Sequence, residues 1–292
     1  MKRNGNLSDT RGNKWGVGFF RRLVGIVGLR NACRFVWVVA LFYALFDSQA
    51  RARAARYISM RFPQANVRGQ FWIRFWHTYR LFVSQGQMLL FAAFHDKVKF
   101  NRENYTAIKT RLDTDPEGVI LLSSHFGAWR NCIFLLLEIE KKTAVLEEPD
   151  QNTEISKFRG LEGIGERVFP ISTHGFMGGL MDALEFLDAG QNICIMGDRA
   201  ADGDTLVCRC WGHDIPITIS PWYLAAKTGK KILPLFAVAD LEAMELHFHT
   251  MPSIQFAINT KPSKNELHRY AQTYVDEFQK MSEKHPYLTF YF

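Results

Sequence analysis

The chain has 292 residues, 47% of them hydrophobic and 22% charged, proportions of an ordinary globular protein long enough to bury a substantial core. Five cysteines (Cys33, Cys132, Cys194, Cys208 and Cys210) are an odd number without a Cys-x-x-Cys pair. That argues against a disulfide framework or a zinc ribbon and fits a reducing, cytoplasmic compartment. The formal charge of +7 is unevenly spread: Met1–Arg80 carries 15 Lys and Arg against two acids, a net +13, and the rest carries 21 bases and 27 acids, a net −6.

Residues 1–14 are polar and glycine-rich and read as a flexible start rather than a signal peptide. The run Phe35–Phe46 is 12 apolar residues bracketed by Arg34 and Asp47, short of the roughly 20 a membrane-spanning helix needs. Extending it backward through Gly16–Leu29 brings in Arg21, Arg22 and Arg30, which must snorkel or sit at an interface. The pattern predicts a helix that dips into one leaflet; a buried core helix is the alternative at this length.

The helical register continues to about residue 94, with Pro63 ending a first helix near Arg61. A second aromatic series (Phe71, Trp72, Phe75, Trp76, Tyr79, Phe82) recurs at spacings of three and four, hence on one helical face. Membrane contact and plain core packing both account for it. With 24 Phe and 7 Trp in the chain, the basic, aromatic N-terminal part suits an anionic bilayer better than nucleic acid, because an apolar run adjoins the arginines.

After Asn101 the signals alternate. Strands are expected at 119–122, 143–146, 192–196, 231–239 and 245–251, and helices at 127–140, 178–189, 221–228 and 264–284. Such alternation predicts an α/β fold, a mixed, largely parallel sheet flanked by helices. Three segments follow: a flexible start (1–14), a membrane-associated helical extension (15–95) and a single α/β domain (96–292).

His125 falls where an apolar strand passes into Phe126-Gly127, at the carboxyl end of a strand, where open α/β sheets bind ligands. A neutral imidazole there can serve as a general base. Asp198 also follows an apolar strand and is the candidate to orient it. In the same loop Arg199 offers the bidentate donors that match phosphate, and Arg159 is a further contact for an anionic substrate. His247 and His249 alternate onto one strand face with no third ligand at a recognisable spacing, so no metal is assigned.

The segments His125-Phe-Gly-Ala-Trp129, Met196-Gly-Asp-Arg-Ala-Ala-Asp-Gly203, Trp211–Pro234 and Pro286-Tyr-Leu-Thr-Phe-Tyr-Phe292 resemble the late acyltransferases of lipid A biosynthesis, within the lysophospholipid acyltransferase superfamily. The resemblance covers most of the chain. It implies a helical membrane anchor on a mixed sheet, and transfer of a fatty acyl group from acyl carrier protein or acyl-CoA to a hydroxyl or amine of a lipid acceptor. It places the protein on the cytoplasmic face of a bacterial inner membrane, with no metal or organic cofactor and no nucleic acid as partner.

The family's motif has an acid five positions after the histidine; here that position is Arg130. A guanidinium has donors only and cannot accept the imidazole N–H. Either another carboxylate such as Asp198, or a backbone carbonyl, holds the ring, or the chain binds lipid or carrier without catalysing. Arg130 is then a candidate substrate contact.

Overall fold

A computed structural model describes residues 14–147, 166–173, 179–198, 205–258 and 261–290. Helix α1 runs Lys14–Phe46 and is broken at Gly28, whose φ of 78° and ψ of 163° only a residue without a Cβ adopts cheaply. Asp47 ends the register: its carboxylate accepts the Ala50 N–H at 2.9 Å and caps α2, Ser48–Arg61. The helical run before Pro63 is therefore two helices, and α2 stops at Arg61. Helix α3, Phe71–Ala93, packs along α1, with the Tyr79 hydroxyl donating to the Trp37 carbonyl at 3.1 Å and Gln87 Nε2 to the Cys33 carbonyl at 3.1 Å.

The elements that follow are β1 (Lys99–Phe100), α4 (Arg102–Thr114), β2 (Ile120–Ser123), α5 (Cys132–Glu138), β3 (Thr143–Glu147), β4 (Val168–Ser172), α6 (Leu180–Asp188), β5 (Asn192–Met196), β6 (Thr205–Cys210), β7 (His213–Thr218), α7 (Ser220–Thr228), β8 (Ile232–Asp240), β9 (Glu245–Thr250) and α8 (Lys264–Lys284). Seven strands form one sheet in the order β1-β9-β8-β2-β5-β3-β4, and β6 and β7 pair as a separate antiparallel hairpin. Strands β8, β2, β5, β3 and β4 are mutually parallel. Strand β9 runs antiparallel to β8, and β1 runs parallel to β9. The sheet is thus mixed and largely parallel, flanked by helices.

Alternation along the strands divides the core in two. Leu121, Leu233, Leu235 and Ala237 face one side, where they meet Ala32, Cys33 and Val36 of α1, Phe91 of α3 and Leu135 of α5. Ile120, Leu122, Phe236 and Val238 face the other, against Ala183 of α6, Trp222 of α7 and Tyr274 and Phe278 of α8. The N-terminal helices therefore share a core with one face of the sheet.

One expectation is corrected close to the site. Helix α5 begins at Cys132, after a 3₁₀ turn at Trp129–Asn131, not at Gly127. Gly127 has φ +65°, and its N–H and that of Ala128 donate to the Leu288 and Ala237 carbonyls, each at 2.7 Å. The backbone that would open the helix is already committed to the sheet and to the C-terminal segment.

Candidate active site

Strands β2 and β5 are neighbours in register, with Ser123 opposite Met196. Two residues beyond that pair, the two chains place His125 and Asp198 side by side. Imidazole Nδ1 lies 3.0 Å from Asp198 Oδ1 and 3.3 Å from Oδ2. A carboxylate has no hydrogen to give, so Nδ1 carries the proton and donates, leaving Nε2 as the basic nitrogen. The side chains are 17% and 7% exposed respectively, so the pair is sheltered while the imidazole keeps access to the surface.

The His125 backbone is held on several sides. Its carbonyl accepts the Phe290 N–H at 2.7 Å, and the next residue's side chain, Phe126, is buried against Phe236 and Phe278. A Cβ at Gly127 would lie 2.0 Å from the Ala237 oxygen, so only glycine permits this approach of the turn to β8. The C-terminal residues that clamp the turn are themselves fastened to the N-terminal helices. Tyr57 of α2 donates to the Pro286 carbonyl at 2.5 Å, His77 Nδ1 meets the Tyr287 hydroxyl at 2.8 Å, and Gln85 Nε2 donates to the Thr289 carbonyl at 3.1 Å.

Trp129 sets its ring edge-on to His125 at 4.7 Å between centroids. Arg130 lies with its guanidinium 4.3 Å from the Trp129 ring centre and 5.9 Å from that of Phe290, a cation–π arrangement that keeps its charge at the mouth of the site. Arg159 and Arg199 lie outside the described residues. Among the described residues the structure thus brings Asp198 to His125, and Arg130 stands beside them on the aromatic stack.

Two contributors escaped the sequence reading. Trp129 and the Leu288–Phe290 segment belong to stretches that carry the family resemblance, yet nothing in their composition assigns them to the His125 turn. The cysteines, by contrast, are where the pattern puts them. Cys208 and Cys210 share the buried face of β6, and burial pushes the Cys194 and Cys208 thiols up to about 12 and about 11 respectively, which keeps them protonated and unreactive.

A family model described as bacterial lipid A biosynthesis acyltransferase matches residues 5–290. The chain belongs to that family. No match was found among curated proteins. Among solved structures, the crystal structure of the 1-acyl-sn-glycerophosphate (LPA) acyltransferase PlsC from Thermotoga maritima is similar at 13% identity and a TM-score of 0.34, over 85% of this chain and 94% of that one; a likeness so distant assigns no residue a role. In this chain the acid that meets His125 comes from the end of β5, 73 residues away, and the position five residues after the histidine is filled by Arg130.

Proposed function

We propose that the protein moves a fatty acyl group from a carrier thioester, acyl carrier protein or acyl-CoA, to a hydroxyl or amine of a lipid or glycolipid acceptor at the cytoplasmic face of a bacterial inner membrane. The observation that carries this reading is the 3.0 Å contact between His125 Nδ1 and Asp198 at the carboxyl end of the parallel strands. With Nδ1–H held by the carboxylate, Nε2 takes the proton from the acceptor as its oxygen or nitrogen attacks the thioester carbonyl. The carbon–sulfur bond of the tetrahedral intermediate then breaks, and the imidazolium returns the proton to the departing thiolate. Asp198 fixes the tautomer and stabilises the imidazolium formed on the way.

Arg130, Arg159 and Arg199 supply positive charge for the phosphates of the donor arm or acceptor head group. Membrane association rests on α1 and α3. Gly18–Phe46 is 29 residues long with a mean hydropathy of 1.5 over its apolar window, about a third of which is buried. Beyond the break at Gly28, one stripe (Ala32, Val36, Ala40, Ala44) is committed to protein while Val38, Phe42 and Phe46 face outward. This one-sided exposure supports a helix that lies along the bilayer and dips into one leaflet.

The test is transfer of a labelled acyl group from acyl carrier protein or coenzyme A to a lipid acceptor in membranes containing the full chain. His125→Ala is expected to abolish it, and Asp198→Asn to lower it by about 10²–10⁴. Transfer at an unchanged rate in His125→Ala overturns the mechanism. A second reading, a lipid- or carrier-binding subunit without catalysis, is favoured by Arg130 alone. Under it the natural chain shows no transfer and Arg130→Glu produces a large gain.

A further inference from the structure

Arg61, at the end of α2, and Arg80, on α3, border an aromatic cluster where these helices meet the C-terminal segment. The Phe62 ring stacks on that of His77 at 3.8 Å between centroids and on that of Tyr287 at 5.6 Å. The Arg61 guanidinium lies 5.3 Å from the Phe62 ring centre, and that of Arg80 lies 4.6 Å from the centre of Tyr287. Aromatic faces attract a cation without neutralising it. Among the described residues neither guanidinium donates a hydrogen bond or pairs with an acid, and Arg61 Nε is sealed from solvent without an acceptor. Glu283 and Asp276 of α8, whose charges reach Cys210 as that of Arg61 does, accept instead from Gln279 at 2.9 Å and Gln272 at 2.7 Å.

The two uncompensated charges act on one place. Burial, and then Arg80 and Arg61, hold the His77 imidazole below its ordinary value, and the same two arginines oppose the rise that burial gives the Tyr287 phenol. Like charges brought to one cluster repel unless an anion joins them, and phosphate matches the guanidinium fork. The neighbours point to a lipid as its source. Arg80 also lies 6.0 Å from the ring centre of Trp76, which is exposed along with Phe71 and Trp72 of the same helix. Indole rings favour the membrane–water interface, where the head-group phosphates begin.

We propose that Arg61 and Arg80 form a binding site for the phosphate of an anionic lipid head group. The inference rests on the proposed placement of α1 and α3 against a membrane and deepens it by naming the lipid chemistry this surface selects. A phosphate held there adds negative charge beside His77 and makes that imidazole more basic. Tyr287 links the site to the chemistry, because it belongs to the segment whose Phe290 N–H holds the His125 carbonyl.

The experiment floats the full-length protein with vesicles of phosphatidylcholine alone, of phosphatidylcholine with phosphatidic acid, and of phosphatidylcholine with an equal charge of fatty-acid carboxylate. Phosphatidic acid is expected to raise wild-type partitioning by about tenfold or more, and carboxylate to raise it less. Arg61→Ala combined with Arg80→Ala removes that gain and leaves binding to phosphatidylcholine unchanged. An undiminished gain in this double variant, or an equal loss when Arg53→Ala and Arg56→Ala are combined at two other exposed arginines of α2, overturns the proposal. Should Arg61→Ala fail to fold, Arg80→Ala at its exposed position decides alone. A titration of the His77 imidazole by NMR distinguishes the sources of phosphate. Short-chain phosphatidic acid is expected to shift it upward, and an equal shift with inorganic phosphate at the same concentration overturns the lipid assignment. If the wild type binds no vesicle at all, the membrane placement fails, and the NMR titration still decides whether the two arginines hold a phosphate.

Discussion

The same residue types meet opposite surroundings in the two parts of the molecule. In the sheet region Phe126, Phe236 and Phe248 are each 1% exposed, whereas Phe42 and Phe46 at the end of α1 and Phe71 and Trp72 at the start of α3 are 60–73% exposed. The first group is buried by folding in water. The second faces outward on the two helices that the proposed function sets against a membrane, and exposed apolar patches commonly mark a membrane or an interface. Arginines are concentrated on the N-terminal helices: Arg21, Arg22, Arg30 and Arg34 on α1, Arg51, Arg53 and Arg56 on α2, and Arg74 on α3.

Breaking the sheet side is expected to have the largest effect. Gly127→Ala places a Cβ against the Ala237 oxygen in a left-handed backbone, costs about 3 kcal/mol or more, and displaces the His125 turn. A thermal melt that matches wild type, with full activity, would disprove the tightness of that approach. On the helical side, Phe42→Ser, Phe46→Ser, Phe71→Ser and Trp72→Ser combined should lower partitioning into anionic vesicles by about 100-fold. The melting temperature should stay near wild type, because these side chains support no core. Loss of folding with membrane binding intact would place the patch on the protein's inside.

Arg130→Glu probes the border between the two regions. It is expected to reduce kcat/KM by about tenfold through KM, with no gain in kcat, since Asp198 already occupies Nδ1. The smallest effect is acid sensitivity of the sheet region. Burial, and then neighbouring positive charge, hold His249 and His285 below the ordinary histidine value of 6.5. They line an open cavity with His247 and Lys284. Their folded pKa lies below the unfolded one, so the associated stability is complete above about pH 6.5 and is lost as pH falls through that value toward the folded pKa. Between about pH 7.5 and about 5.5 the melting temperature should drop by roughly 2–4 °C, less in His249→Gln.

Much of the architecture was legible because local chemistry and tertiary role agree. Strand β5 is apolar throughout after Asn192, and α8 carries its own start signal, with the Ser263 hydroxyl accepting the Glu266 N–H at 3.2 Å. Strand β4 was missed because Pro170 interrupts its pattern; it pairs only with β3 at the sheet edge, where a proline is tolerated. The β6–β7 pairing turns on Trp211 and Gly212, both at positive φ, a hairpin signal that only the Cys208/Cys210 alternation hinted at.

His125 and Asp198 were each visible as polar residues following apolar strands. Their contact could be named only as one alternative, because it depends on β5 inserting between β2 and β3, an order unrelated to the order in the chain. Phe290 reaches His125 through where the C-terminal segment finishes, and no spacing rule encodes that.

The segment Pro286–Phe290 is a ruler between two frames. Pro286, Tyr287 and Thr289 are tied to Tyr57, His77 and Gln85 of α2 and α3, while Leu288 and Phe290 are tied to the backbone of Gly127 and His125. The position of the imidazole relative to those helices is therefore set by five residues of chain, and under the proposed function this spacing fixes the depth at which an acceptor group is reached.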